Sequence, residues 1–243
     1  MVTSGLTLCA LLVTVGCGAA KQHSKIQQQG EELRFDLAAL YVSKGVPQAA
    51  APLLQKILAE APKDVPARVM YGVVLRDMGL YPQAQRELRF ALSLEPKNDA
   101  AHAAVGILYD LQRKPKRAKR HHIAAVRLSP SNATYRNNLG FSLYLAGDVP
   151  GAISQLEQAL AMDPSMAIAY NNLGFAYGRA RKLERAERTF RAALSEASTM
   201  LNMAVVHEEL GEHAQALVLR ERAYEMDPDL RPESATDDGG LDL

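Results

Sequence analysis

The sequence predicts an all-α protein built from stacked helical hairpins. Small residues and prolines recur every 34 residues, a period typical of repeat arrays rather than of a single globular core. Three columns keep this spacing: Pro62, Pro96, Pro130 and Pro164; Ala50, Ala84, Ala118, Ala152 and Ala186; Ala38, Gly72, Gly106, Gly140 and Gly174. The composition agrees with helices, because the 243 residues are 48% hydrophobic and include no Trp.

Each unit is predicted to contain two short helices, here called the A helix and the B helix. In the fourth unit, residues 133–147 read ATYRNNLGFSLYLAG, with leucines at helical spacing and a stop at Gly147. Asp148 then caps the B helix, with Pro150 in its first turn. Gly140 and Ala152 are small enough to let the two helices approach closely. One hairpin cannot bury its own apolar faces, so the units must stack.

This pattern resembles the tetratricopeptide repeat, in which Leu-Gly or Leu-Ala early in the A helix is followed by two alanines and a closing proline. These roles fall to Leu139, Gly140, Ala152, Leu156, Ala159 and Pro164, and in the next unit to Leu173, Gly174, Ala186, Phe190 and Ala193. The resemblance covers residues 31–228 and implies a right-handed superhelical solenoid of about six repeats. We assign these to residues 31–64, 65–98, 99–132, 133–166, 167–196 and 197–228.

One break in register separates the fifth and sixth repeats. The alanine column steps from Ala186 to Ala216, so four residues are missing from the 34-residue spacing. We predict a tightened connection at residues 194–201, with Ser198 or Thr199 as the cap of the last helix pair.

The N-terminus reads as an export signal. Residues 6–15 are apolar but too short to span a membrane comfortably. Residues 14–17 resemble a bacterial lipobox, which implies a signal peptide over residues 1–16, lipid on Cys17 and a polar tether over residues 17–30. Gly18 after the cysteine resembles outer-membrane sorting, which implies the periplasmic side of that membrane. The alternative is an ordinary signal cut near Ala20 that leaves a soluble periplasmic protein.

Charge and cysteine content limit the remaining function classes. The net charge of +1 argues against a general nucleic-acid binder. Cys9 and Cys17 both precede the repeats, which leaves the repeats without a disulfide or a cysteine metal site. Residues 229–243 carry five acidic residues and one Arg, and we predict a disordered acidic tail there.

No catalytic, cofactor-binding or metal-binding residue is predicted. The chain has no G-x-G-x-x-G or phosphate-binding loop. The stretch HEELGEH places His207 and His213 on either side of Gly211, so the two cannot share a helix face as zinc ligands do. His207 takes a position that other repeats fill with Tyr or Leu, and His122 belongs to the column of Leu88, Leu156 and Phe190. Both are expected to pack rather than to react.

The strongest charge feature is a basic patch at the turn of the third repeat, formed by Arg113, Lys114, Lys116, Arg117, Lys119 and Arg120. One interpretation is an anionic partner, whether an acidic protein surface, lipid headgroups or nucleic acid. The other is a solvated helix start with extended side chains. Nucleic acid is not expected, because an exported protein would not meet it and no aromatic residues alternate with the basic ones.

A protein-binding groove is expected on the A helices, on the side turned away from the B helices. The candidate residues are Asn137, Asn138, Phe141, Tyr144, Asn171, Asn172 and Phe175. In the resembled family this face lines the concave groove that receives peptides or helices. The aromatic rings supply contact area, and the amides can pair with an extended backbone. The alternative is that Phe141 and Phe175 pack between neighbouring A helices.

Together these features predict a non-catalytic scaffold, anchored by lipid to the outer membrane, that binds a protein or peptide partner. The resemblance extends to the tetratricopeptide-repeat lipoproteins of Flp/Tad and type IV pilus assembly. The alternative function is a soluble periplasmic adaptor, or a regulatory module that partners an enzyme such as a glycosyltransferase.

Overall fold

The computed structural model describes residues 29–232, in which twelve α-helices form six hairpins without a strand. The helices are α1 (29–43), α2 (Pro47–Glu60), α3 (Val65–Asp77), α4 (Tyr81–Leu94), α5 (Asp99–Leu111), α6 (Pro115–Leu128), α7 (Ala133–Leu145), α8 (Val149–Met162), α9 (Ala167–Arg179), α10 (Leu183–Arg191), α11 (Glu196–Glu209) and α12 (His213–Met226). The all-α repeat fold expected from the sequence is therefore confirmed. The predicted signal peptide, most of the tether, and the acidic tail from residue 233 onward lie outside the described residues.

The chain divides into two compact units, Met1–Ala104 and Val105–Leu243, with the division inside α5. In the first unit, α3 packs against both α2 and α4. Its core residues are Ala38, Ala50, Leu54, Ile57, Ala67 and Val74. Asp64 caps α3 by accepting a hydrogen bond from the backbone N–H of Ala67 at 2.8 Å.

The second unit has a continuous core in which successive hairpins pack on one another. Its buried members are Leu139, Leu143, Tyr144, Ala152, Leu156, Leu173, Ala176, Tyr177, Ala186, Phe190, Met203 and Val206. Glycines on the A helices receive side chains from the B helices. A Cβ at Gly140 would lie 2.6 Å from Leu156 Cγ, and one at Gly174 would lie 2.3 Å from Phe190 Cε1. The close approach predicted from the small-residue columns is therefore confirmed.

The turns within hairpins place one residue in the left-handed backbone region. Gly147 and Gly211 adopt φ values of 81° and 79° there. In the third and fifth hairpins the same turn position is occupied by Arg113 and Arg181, each at φ 56°. Glycine adopts these φ values readily, whereas the Cβ atom of any other residue makes them unfavourable. Two arginines are thus held in a conformation that favours glycine.

The break in register lies at the end of α10. Asp148 caps α8 as predicted, accepting from the backbone N–H of Gly151 at 3.2 Å. The prediction for the last hairpin was wrong, because Ser195 rather than Ser198 or Thr199 caps α11. α10 has 9 residues where α8 has 14, so the missing residues shorten this helix and α11 begins at Glu196.

Candidate functional site

The A helices α7, α9 and α11 of the second unit pack side by side. Their partly exposed residues form a surface that we call the amide face. It comprises Asn138, Phe141, Asn171, Asn172, Phe175, Asn202 and Val205. The asparagines at 138, 172 and 202 occupy one repeat position, and Phe141, Phe175 and Val205 occupy another. The amide face therefore repeats one amide and one apolar residue on each of three helices.

Hydrogen bonds between side chains join neighbouring helices across this face. Asn172 Nδ2 donates to Asn137 Oδ1 at 2.9 Å, and Asn202 Nδ2 donates to Asn171 Oδ1 at 2.6 Å. Each bond links one A helix to the A helix before it by the same pair of positions. Asn137 Nδ2 also reaches Asn138 Oδ1 at 3.4 Å. The amides are thereby held in fixed orientations, and the Oδ1 atoms of Asn172 and Asn202 have no hydrogen-bond donor among residues 29–232.

Phe141 is the most exposed aromatic residue of the amide face, with 40% of its surface accessible. Its ring lies nearly parallel to that of Tyr144, at 6.4 Å and 20°. Tyr144 itself is 8% exposed and donates its hydroxyl to Glu209 at 3.1 Å. The guanidinium of Arg179 lies 4.2 Å above the Tyr144 ring. Burial, and then the neighbouring carboxylate of Glu209, raise the pKa of Tyr144 to about 12. Tyr144 is therefore a rigid support beneath Phe141.

Phe175 is only half-buried and serves both the core and the surface. Its ring meets that of Phe190 edge-on at 5.1 Å, and Phe190 is fully buried. Val205, at the equivalent position on α11, is 44% exposed. The amide face thus offers apolar area on all three helices, and the ring of Phe175 is also packed against the core through Phe190.

The basic patch lies at the start of α6, and all six of its side chains are exposed. Lys119 Nζ lies 3.3 Å from Asp148 Oδ2, and Arg117 faces the ring of Tyr109 at 5.8 Å. No Asp or Glu occurs between Leu111 and Gly147, although this stretch contains eight Lys and Arg residues. A pocket of about 410 Å³ opens beside the turn, lined by Asp110, Leu111, Arg113, Pro115 and Leu145.

A buried polar cluster lies beneath this pocket. His122 Nε2 and Ser142 Oγ each lie 2.8 Å from a different carboxylate oxygen of Asp110. His122 and Ser142 are each 1% exposed. The carboxylate thus stands between the histidine and the serine, whereas a nucleophilic triad requires the histidine to contact the serine. The cluster joins α5, α6 and α7 and has no geometry for acyl transfer.

Three further features concern metal binding, two histidines and membrane-spanning helices. Among residues 29–232, no group of three His, Cys, Asp or Glu side chains is placed to hold a metal ion. His207 and His213 lie on different helices and bind Glu212 and Glu208 respectively. None of the described helices has the length and apolar composition needed to cross a bilayer.

Three protein-family models match the sequence, and together they cover just over half of it. One, described as TPR repeat, matches residues 142–180, and two described as tetratricopeptide repeat match residues 41–108 and 167–199. The chain is a tetratricopeptide repeat (TPR) protein. A comparison with curated protein sequences finds no match.

Solved structures with the same TPR fold include PilF, PilW and YrrB. PilF of Pseudomonas aeruginosa has 17% sequence identity and a TM-score of 0.66, over 83% of this chain and 93% of PilF. PilW, described as a widely conserved type IV pilus biogenesis factor, has 20% identity and a TM-score of 0.71, over 84% and 96% of the two chains. YrrB, described as a TPR protein with an unusual peptide-binding site, has 20% identity and a TM-score of 0.56, over 73% and 93%. At these identities the likeness establishes the fold.

The groove residues expected from the sequence lie together in the second TPR unit but differ in exposure. Asn138, Phe141, Asn171, Asn172 and Phe175 are at least partly accessible. Asn137 and Tyr144 are only 4% and 8% exposed, because neighbouring A helices cover them. Their expected role as direct contacts is therefore corrected to one of positioning. Asn137 orients Asn172, and Tyr144 supports Phe141.

Asn202 and Val205 on α11 are not among the groove residues predicted from the sequence. Both continue the TPR columns of Asn138 and Asn172, and of Phe141 and Phe175, once the four-residue deletion is subtracted. Applying that shift to the sixth repeat would have found them. The pocket beside Arg113 had no sequence signal beyond two leucines, Leu111 and Leu145, one repeat apart.

Proposed function

We propose that this TPR protein is a non-catalytic scaffold of the bacterial envelope that binds an extended segment of another protein across the amide face. The observation that carries the proposal is the repeated hydrogen bond between Asn172 and Asn137 and between Asn202 and Asn171. These bonds hold a row of amides between partly exposed apolar side chains. Such a surface supplies contact area together with fixed polar groups, as peptide-binding sites do.

The dimensions of the amide face favour an extended peptide. Packed helices lie about 8–10 Å apart, and an extended chain advances about 3.3 Å per residue. A peptide that crosses α7, α9 and α11 would therefore bring every third backbone group to an asparagine. The side chains between these points would rest on Phe141, Phe175 and Val205.

The proposed location is the periplasmic side of the outer membrane, where lipid on Cys17 would anchor the chain. The lipobox resemblance supports this location. The fold shared with PilF and PilW supports it too, together with a role in assembling a pilus or secretion machine. A soluble periplasmic adaptor, or a module that regulates an enzyme such as a glycosyltransferase, is the alternative.

A matched pair of phenylalanines tests the amide face. Phe141 and Phe90 are 40% and 42% exposed, but Phe90 lies on α4 of the first unit. In a pull-down from envelope extract, Phe141→Ala should weaken capture of a partner by at least about 1 kcal/mol, whereas Phe90→Ala should not. Both variants should keep the wild-type melting curve. Full capture by a folded Phe141→Ala, Phe175→Ala double variant would exclude this face.

Lipid attachment is tested separately by labelling cells with palmitate. Cys17→Ser should abolish label and move the protein from the membrane fraction to the soluble periplasm, while Cys9→Ser should change neither. If wild-type protein takes up no label and is soluble, the lipid anchor is wrong and the soluble adaptor is favoured.

A further inference from the structure

The basic patch is not required by the TPR fold. The residues that α6 turns toward the core are Ala118, His122 and Ala125, all buried. At the positions of Lys116, Lys119 and Arg120, the next hairpin has Pro150, Ile153 and Ser154. A B helix therefore packs equally well without these charges. Eight basic residues and no acid between Leu111 and Gly147 stand out in a chain of net charge +1.

The charges of the patch are poorly compensated. Arg113, Lys116 and Arg120 have no acidic partner among residues 29–232. Lys119 pairs with Asp148, but the two side chains are 46% and 45% exposed, where an ion pair contributes little. Lys116 and Arg120 are four residues apart on α6 and so share one face. The patch presents positive charge available to an anionic ligand.

Arg113 is held beside the pocket against its backbone preference. Its φ of 56° lies in the left-handed region, where the equivalent turns of the second and fourth hairpins have Gly79 and Gly147. An unfavourable backbone conformation at an arginine that borders a pocket is a reason to look for a ligand there.

The pocket adds apolar surface beside these positive charges. Leu111 and Leu145 on its wall are 51% and 49% exposed. A recess of about 410 Å³ has room for an apolar side chain. A bilayer surface presents no side chain that fills a recess, whereas a peptide does. The combination therefore favours a peptide over lipid headgroups.

We propose that the α5–α6 turn is a second docking site, which binds an acidic, extended segment of a partner protein. Its carboxylates pair with Arg113, Lys116 and Arg120, and one apolar side chain enters the pocket between Leu111 and Leu145. Lys116 and Arg120 are separated by four residues of helix rise, about 6 Å, which is the length of about two extended residues, and Arg113 lies in the turn before the helix. The site thus fits a peptide in which two or three Asp or Glu residues flank one apolar residue. This inference does not depend on binding at the amide face.

The test measures fluorescence anisotropy of the full chain with two labelled synthetic octapeptides. One is rich in Asp and Glu around a central Leu, and the other carries Asn and Gln in place of the acids. The acidic peptide should bind, more weakly as salt rises. Arg113→Glu, Lys116→Glu, Arg120→Glu should weaken it at least tenfold. The matched control is Arg86→Glu, Arg89→Glu, Arg222→Glu, which changes the net charge equally at exposed arginines on other helices and should weaken binding less than threefold.

The pocket has its own test. Leu111→Ser, Leu145→Ser should weaken the acidic peptide severalfold, and should have no effect on the same peptide with Ser in place of Leu. The proposal would be overturned if the two triple charge-reversal variants lost equal affinity for the acidic peptide, or if this peptide did not bind the wild type. Vesicles rich in phosphatidylglycerol that bind the wild type while the peptide does not would assign the patch to lipid instead. Tighter peptide binding after removal of residues 233–243 would show that the chain's own acidic tail occupies the site, and would overturn the assignment to a partner.

Discussion

The two units place different residues at the same A-helix positions. Where the second unit has Asn137 and Asn171, the first has Phe35 and Val69, and Val69 is 9% exposed. The glycine contacts do not differ in this way, because a Cβ at Gly72 would lie 2.6 Å from Leu88 Cγ, the same distance as between Gly140 and Leu156. The repeat therefore fixes the contact between the two helices of a hairpin and leaves other buried A-helix positions, such as those of Val69 and Asn137, free to differ between the units.

The largest effects should come from core residues and should be similar in both units. Phe190→Ala should cost about 3–5 kcal/mol and Leu88→Ala about 2–5 kcal/mol, because each empties a fully buried site against a glycine. Urea unfolding followed by circular dichroism measures both. A loss below about 1 kcal/mol at either residue would break the claim that the two units share one packing scheme.

The amide pairs should contribute stability that the first unit lacks. Asn137→Ala leaves Asn172 without its acceptor, so each single variant should cost about 1 kcal/mol. A double-mutant cycle of Asn137→Ala and Asn172→Ala should give a coupling of about 0.5–1.5 kcal/mol. The control cycle pairs Asn137→Ala with Asn202→Ala, which share no hydrogen bond, and should be additive. Additive behaviour in the first cycle would mean that the amides are not coupled in solution.

The sequence predicted the repeat, the hairpin turns, the Asp148 cap and the small residues at helix contacts, because each depends on neighbours at fixed spacing. The amide pairs depend on the side-chain rotamers of asparagines that lie 35 and 31 positions apart in the sequence. The burial of Tyr144 depends on Glu209, which is 65 residues away. Asn202 and Val205 fall into the columns of Asn172 and Phe175 only when the four missing residues, which shorten α10, are subtracted from the repeat spacing.

Alkaline pH should act on the second unit through Tyr144. Its pKa is raised to about 12 in the folded chain, against about 10 when unfolded. The stability contributed by the neutral phenol is therefore complete below pH 10 and is lost as pH rises through 12. Between pH 9 and pH 11, the wild type should lose about 1 kcal/mol more stability than Tyr144→Phe does. Urea midpoints at the two pH values measure this, and parallel losses in both proteins would contradict the assignment.

The smallest effect should be a gain of stability at the turn of the third hairpin. Arg113→Gly relieves the left-handed strain and should stabilise the chain by about 0.5–1 kcal/mol. The same change at Arg181 should act similarly, although that residue also lies 3.5 Å from Glu212. Thermal melts compare the two variants. If Arg113→Gly also weakens the acidic peptide, then binding is maintained at the expense of stability, whereas a destabilised variant would show that the turn is not strained.

The shortened α10 has a consequence for how the chain unfolds. A helix of 9 residues offers the next hairpin less contact than the 14 residues of α8. In a repeat array, cooperativity passes mainly through such nearest-neighbour contacts. The hairpin α11–α12 is thus the segment that can open while the others stay closed. Because α11 supplies Asn202 and Val205, hydrogen exchange of its backbone N–H groups reports directly on whether these two residues of the amide face are in place.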